Sequence, residues 1–436
     1  MAVFLPNEMI LQQVWRFRLW RCHGRPRTTD GVPVEIIDPG TLNNGPGPDF
    51  FNAKVKIGGQ LWAGAVEIHV RASDWHRHGH DGDAAYSNVI LHVVAVDDTA
   101  IERRDGSVIP QLVMSVDSFF VGAFNRLLTS DRLVLPSCGD RLRDIAPIVL
   151  TDWTAALGME RLQSKADHVR EILDRNAGDW LQTAYIVLAR GLGFGHNADA
   201  MEQLARSLPI KTLIRHSDDL NTIQALLFGQ AGMLEKREDD FTSLLADEYA
   251  FYKVKYGLRQ PEILWKHSSR SGVNSPERRI GQMAAIVARD SFNIARTLSE
   301  TTDVSHARDL FAVPLSDYWV THTRFGSPSS RRLAQTALGQ ATTDLLVINV
   351  IAPMVYLKGE MTGDWRLTDG AVNILETTRA EDNSIVKGFA DFGVKARDAY
   401  TSQALIQLHK SYCTPRRCLD CRLGHRMLAR HASLDG

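Results

Sequence analysis

The chain has 436 residues, 44% of them apolar and 23% charged, with a formal net charge of −1. That length supports two or three domains with substantial cores, and those proportions exclude disordered and fibrous classes. The near-balanced charge removes any global attraction to nucleic acid or to a membrane surface, so phosphate binding would have to rest on local groups.

In chain order, Asn7 is placed to cap a helix carrying Met9, Ile10, Val14, Trp15 and Phe17, with Glu8 in its first turn. Arg16, Arg18, Arg21, Arg25 and Arg27 follow, as a solvated face or as phosphate contacts. The start lacks the basic region of a signal peptide. Apolar windows are short and broken by charge, so no membrane span is predicted. Five cysteines, an odd number with three near the C-terminus, fit a reducing cytoplasm, the expected location. Val34–Ile37 reads as a strand. The Asp38–Pro48 loop, dense in Gly, Pro and Asn and including Asn44, reads as a structural corner or the rim of a site.

Two strand arms follow. Ala53, Val55 and Ile57 alternate with Lys54 and Lys56, Gly58-Gly59 turns the chain, and Leu61–Val70 returns. Side chains two apart on a strand share a face, so Glu67 and His69 lie together while Val66, Ile68 and Val70 take the other side. With Asp49 at the mouth of the hairpin, one carboxylate comes from each arm. That is a workable geometry for Mg²⁺ or Mn²⁺ against a phosphate. Val89–Val96 (VILHVVAV) suits a strand covered on both faces, with His92 as a hydrogen-bonded core histidine. A further hairpin is expected about Asp105-Gly106.

From about Ile145 the apolar spacing becomes helical. Helices are predicted at Trp153–Arg175, Trp180–Arg190, Ala198–Leu208, Asp219–Phe228, Asp239–Tyr256, Glu277–Leu298, Ser330–Lys358, Ala371–Thr378 and Asp398–Ser411. Trp319 and Arg324 read as packing residues. The division expected is an α/β domain at 1–140, a helical region at 141–405 and a Cys-rich segment at 406–436.

Pro48-Asp49, the hairpin and Glu67-Ile68-His69 together resemble the core of the PD-(D/E)XK nuclease superfamily. The resemblance implies a restriction-endonuclease-like N-terminal domain. With the helical spacing after it, the expected fold is α+β: a mixed-sheet α/β domain followed by a large all-α region with a C-terminal Cys metal knuckle. The resemblance also implies that Asp49 and Glu67 hold a divalent cation assisted by the Ile68 carbonyl, and that Glu8 is a further acidic residue. His69 stands where that superfamily carries lysine, as a base or water-orienting group. Lys54 or Lys56 would be a substitute ammonium. Segments including GPGPDFFNAKVKIGGQLWAGAVEIHVRASDW, RGLGFGHNADAMEQLA and YCTPRRCLDCRLGH are also similar to an uncharacterised bacterial family, domain of unknown function 2851, which implies no activity.

Two clusters complete the reading. Asp74-Trp75-His76-Arg77-His78-Gly79-His80-Asp81 reads in three ways: an exposed histidine-rich loop, a zinc-hydrolase site, or a loop bringing His78 or His80 over Asp49 and Glu67. Asn44, Asp74, His78 and His80 are the candidate substrate contacts. At the far end, Cys413, Cys418 and Cys421 are three close thiolates, with Cys138 or His425 as a fourth ligand. The alternatives there are structural Zn²⁺, an iron–sulfur cluster or plain thiols. Arg416, Arg417, Arg422, Arg426 and Arg430 around them would grip a nucleic-acid backbone or keep the end soluble. Three functions follow: a metal-dependent nuclease on DNA or RNA, an inactive nuclease-like binding module, and a zinc hydrolase.

Overall fold

A computed structural model describes residues 6–16, 18, 26–43, 45–103, 106–116, 138–267, 275–328, 337–418 and 420–429. It divides into one unit of Met1–Leu150 with Lys410–Gly436 and a second of Thr151–His409. Asn44, Arg21, Arg25, Arg430 and Asp105 lie outside the described residues.

In the first unit, Asn7 caps helix α1 (Glu8–Arg16) by accepting from the Ile10 N–H at 2.9 Å. Strands follow at β1 (Val34–Asp38), β2 (Thr41–Leu42), β3 (Phe50–Ile57), β4 (Gln60–Arg71), β5 (Val89–Val96) and β6 (Gln111–Val113). Among the described residues they form a six-stranded mixed sheet in the order β1-β3-β4-β5-β6, with β2 beside β3. The β1–β3 and β3–β4 pairs are antiparallel, and β4–β5 and β5–β6 are parallel. The expected hairpin about Asp105-Gly106 survives as a bridge from Glu102 to Val108, before β6 runs parallel to β5.

Strand parity sorts the sheet as its pattern predicts. Val66 and Ile68 enter one core with Phe50, Val55, Leu91 and Val93, closed by Ile10, Leu11, Val14 and Trp15 of α1. Glu67, His69 and His92 take the opposite face, and Glu67 sits across from His92 in the β4–β5 register. Its covering layer is residues 72–86, held by Trp75, which packs with Ala65, Val89, Ile101 and Ile109. Gly64 lets β5 begin close to β4, since a Cβ there would stand 2.5 Å from Ile90 and 2.7 Å from the Asn88 carbonyl.

Among its described residues the second unit is helical apart from turns and a short ribbon, His322–Arg324 with Ser327–Pro328. Several predicted helices appear with capped starts: Asp179 accepts from Leu181 and Gln182, and Asp239 forms a capping box with Thr242. Trp319 is fully buried in the core with Phe228 and Phe325, as expected of a packing residue. The run expected at 277–298 splits into Pro276–Asp290 and Ile294–Glu300, where a turn closes from the Asn293 N–H onto the Asp290 carbonyl. Of the run expected at 330–358, residues 329–336 lie outside the described set and helix begins at Gln340. Gln340–Thr362 is long and apolar enough to cross a bilayer by length and composition, but most of it is buried within the protein.

Candidate active site

The loop before β3 is knitted by a residue that composition alone did not mark. The Asn43 side-chain amide donates to the carbonyls of Gly45, Pro46 and Pro48 at 3.0–3.1 Å, and the Asn43 N–H donates to the Asp49 carbonyl at 2.7 Å. This fixes Asp49 at the mouth of β3. Beyond it, the register slips between Phe50 and Ala53, with Asn52 at φ 58°, a bulge that bends the strand beside the site.

Asp49 and Glu67 meet through each other's backbone. The Asp49 N–H donates to Glu67 Oε2 at 3.0 Å, and the Ile68 N–H donates to Asp49 Oδ2 at 2.9 Å. Gln12 of α1 supplies Asp49 Oδ1 with a second donor at 2.7 Å. Glu8, one turn earlier on the same helix, brings Oε1 to 3.7 Å from His69 Nε2. Among the described residues neither Asp49 nor Glu67 is paired with arginine or lysine. Lys56 pairs with Glu35 at 3.6 Å. Lys54 is exposed opposite Ala63, about 13 Å along β4 from Glu67 at ordinary strand rise. Neither lysine serves as the ammonium considered above.

The histidines complete the group. His69 is fully buried; its Nδ1 lies 2.9 Å from His92 Nε2 and its Nε2 lies 3.1 Å from His78 Nδ1. Glu67 Oε1 stands 3.6 Å from His69 Nε2 and 3.3 Å from His80 Nε2. One ligand nitrogen each from His69, His78 and His80 falls within 4.8 Å of the others. His80 stacks on Tyr86 at 3.8 Å between ring centres and meets Trp75 edge-on. A cavity of ≈ 250 Å³ opens beside it, lined by Trp75, His80, Tyr86 and Arg103 among others.

The covering segment folds as short turns of helix rather than as the loop its composition suggests. Helix α2 (Asp74–Arg77) ends at Gly79, whose φ of 75° turns the chain back so that His78 and His80 face the same site. Asp74, a candidate substrate contact, is instead buried and engaged: it accepts from the Arg71 N–H at 3.1 Å and pairs with Arg77 at 2.8 Å. His76 pairs with Asp81 at 2.8 Å, away from the cluster.

The electrostatics follow from enclosure. Burial, then the charge of the partner carboxylate, raises Glu67 well above the ordinary carboxylate range. Burial raises Asp49 too, against the pull of the Ile68 N–H and Gln12, and raises Glu8. His69 is pressed down to about 2 by burial and by His92, His78 and His80. Burial, then His80, lowers His92 to about 4, and burial lowers His80. A histidine so hard to protonate is a poor general base but a dependable lone-pair donor.

The cysteines are arranged differently. Cys138 and Cys418 pack against the sheet's apolar core, and burial followed by neighbouring thiols raises them to about 12 and about 11. Cys413 is raised by burial and by Cys138, Cys421 and Cys418, so the four are electrostatic neighbours. Among the described residues, however, no three of them, nor any set with His425, converge to the 4.8 Å that the histidines reach. Of the nearby arginines, Arg16 and Arg417 both pair with Asp420, and Arg18 donates to the Ile37 carbonyl at 2.6 Å.

Fold and site together define an α+β protein: a mixed six-stranded sheet with an acid- and imidazole-lined face, followed by a large, mostly helical region. The chain belongs to the family described as protein of unknown function (DUF2851), whose model matches residues 8–384. That match takes in Glu8, Asp49, Glu67 and the whole histidine cluster and ends before Cys413. No curated protein and no solved structure matches the chain.

Proposed function

We propose that the protein is a metal-dependent phosphodiesterase acting on DNA or RNA, with Glu8, Asp49 and Glu67 as its acidic groups and His69 where the PD-(D/E)XK nucleases carry lysine. The observation that supports this best is convergence. Asp49 and Glu67, separated along the chain, lock together through the Asp49 and Ile68 N–H groups, and Glu67 Oε1 stays directed at the imidazoles. The order helix, antiparallel hairpin, then a parallel strand is also the one the resemblance implies.

Each residue then has a role. Asp49, held by Gln12 and Ile68, is a rigid carboxylate at the mouth of the hairpin. Glu67 anchors Oε2 on the backbone and offers Oε1. His69, neutral at physiological pH, offers its free nitrogen lone pair to the cation or to the water it carries rather than taking a proton. Arg77, exposed at the rim and within electrostatic reach of Glu8 and His69, is a cation placed to meet a phosphate. A divalent cation held by these carboxylates would offset their mutual repulsion, neutralise charge on the scissile phosphate and acidify a bound water.

The test is cleavage of labelled single- and double-stranded DNA and RNA with Mg²⁺ or Mn²⁺. Asp49→Ala and Glu67→Gln should each lower the rate by about 10²-fold or more while leaving nucleic-acid affinity intact, a loss of the order seen for removed catalytic groups. Binding without cleavage by the unaltered protein under every metal would instead assign a non-catalytic binding module.

A further inference from the structure

We infer that His69 Nε2, His78 Nδ1, His80 Nε2 and Glu67 Oε1 form a binding site for one first-row transition-metal dication, with Glu8 as an added oxygen ligand at its edge. The inference deepens the reading above and rests on it for what the metal is for, though not for whether the metal binds.

Four ligands about 2.0–2.2 Å from a central ion stand roughly 3.3–3.6 Å apart in a tetrahedral arrangement. The three imidazoles each offer a nitrogen within 4.8 Å of the others, His69 Nε2 and His78 Nδ1 being 3.1 Å apart. Glu67 Oε1 approaches two of them, 3.3 Å from His80 Nε2 and 3.6 Å from His69 Nε2. Glu8 Oε1, 3.7 Å from His69 Nε2, is placed for a fifth position. A second observation points the same way. His80 Nε2 is buried yet has no hydrogen-bond partner, although it faces a carboxylate oxygen. Buried polar atoms are nearly always satisfied, so this nitrogen lone pair wants a ligand that is neither backbone nor side chain.

The surrounding shell is built to orient ligands. His69 Nδ1 lies 2.9 Å from His92 Nε2, and with His69 as the donor of that bond its Nε2 lone pair is free for an ion. Stacking on Tyr86 and the edge of Trp75 holds the His80 ring. The Asp49 N–H pins one oxygen of Glu67 and turns out the other. Exposed His78 gives an ion its way in. The donor set selects the metal. Three imidazoles and a carboxylate suit Zn²⁺, Mn²⁺, Fe²⁺ or Co²⁺, whereas Mg²⁺ demands oxygen ligands and keeps its waters.

The test uses the full chain, stripped with chelator and titrated with Co²⁺ while visible absorption is followed. One equivalent should bind with the intense bands of a four- or five-coordinate nitrogen-rich site. Zn²⁺ should displace it and excess Mg²⁺ should not. His78→Ala and His80→Ala should each weaken affinity by at least the 10–100-fold that loss of a mere orienting partner causes, with circular dichroism unchanged. A spectrum insensitive to both substitutions, or one lost instead in Cys413→Ser with Cys418→Ser, overturns the inference. The two readings fail separately. Histidine-dependent Co²⁺ binding without any cleavage upholds this site and removes the phosphodiesterase. Mg²⁺-dependent cleavage together with Co²⁺ bands insensitive to His78→Ala and His80→Ala keeps the phosphodiesterase and removes this site.

Discussion

The first unit contains two groups of metal-favouring side chains, and they were built by different means. The cysteines are close in sequence, at 413, 418 and 421, yet their sulfurs and His425 do not draw together as the histidines do. The histidines come from a strand and the segment that covers it, and each is aimed by something else: strand parity for His69, the left-handed turn at Gly79 for His78 and His80, and His92 for the tautomer. Spacing along the chain thus predicted proximity, whereas hydrogen bonding and register produced convergence. Cys138 and Cys418 pack against the sheet core as apolar groups, while the imidazoles face a carboxylate that burial holds far from its ordinary pKa.

The comparison breaks most sharply at His69. His69→Ala removes the side chain central to the cluster and leaves His92 Nε2 without its partner in a buried site. It should cost about 3–5 kcal/mol, as large-to-small core changes with an orphaned polar group do, read as a lower urea midpoint. Cys138→Ala, which deletes only a small apolar contact, should cost about 1 kcal/mol. Similar losses for the two would erase the distinction drawn here.

Chelation sharpens it next. Stripping metal from the unaltered protein should lower its stability by about 2–3 kcal/mol when the ion had been near one hundred times its dissociation constant. The His78→Ala, His80→Ala double variant should show no such drop, while Cys413→Ser should keep it. Differential scanning calorimetry with and without chelator reads all three.

The metal-free protein should also carry a pH signature. Asp49 and Glu67 have folded pKa values above their unfolded ones, so the folded state binds more protons and stability falls as pH rises from about 4.5 through neutrality. His69 and His92, depressed to about 2 and about 4, act oppositely: the unfolded state binds more protons, so stability falls as pH drops below about 6.5. The two effects offset each other near pH 5–6. Each proton is worth about 1.4 kcal/mol per pH unit where it acts alone. Denaturant melts should therefore peak at mildly acidic pH and decline toward pH 9, and saturating metal should flatten the alkaline side. A peak at pH 8 or above in metal-free protein would contradict the buried-carboxylate account.

The smallest effect expected concerns the cysteine segment. Asp420→Ala removes the partner that Arg16 of α1 shares with Arg417. As a partly exposed ion pair it should cost only about 0.5–1 kcal/mol. A loss several times larger would mean that the segment helps hold α1, and with it Glu8 and Gln12, in place.

Much of the sheet was legible from pattern alone. Alternation placed Glu67 and His69 on one face, Gly58-Gly59 marked the hairpin turn, and VILHVVAV marked a covered strand. The site's supporting residues were not, because they act through contacts that no local period encodes. His92 is the hydrogen-bonded core histidine expected, but its partner, His69, emerges only with β4 and β5 in register. The signal available was that a lone polar residue in an apolar run requires a partner on the next strand. Gln12 and Asn43 are polar residues in a helix and a loop, and only tertiary placement shows that both hold Asp49. Short helices such as Val304–Phe311 and Ser384–Asp391 escaped because each spans barely two turns, too little for periodicity to register, although Asp303 and Asn383 cap them.

The most direct measurement is anomalous scattering from a crystal grown with Mn²⁺ or Zn²⁺. The account predicts one peak about 2.0–2.2 Å from Glu67 Oε1 and from the facing nitrogens of His69, His78 and His80. A peak among Cys138, Cys413, Cys418 and Cys421, with no density at the histidines, would contradict it.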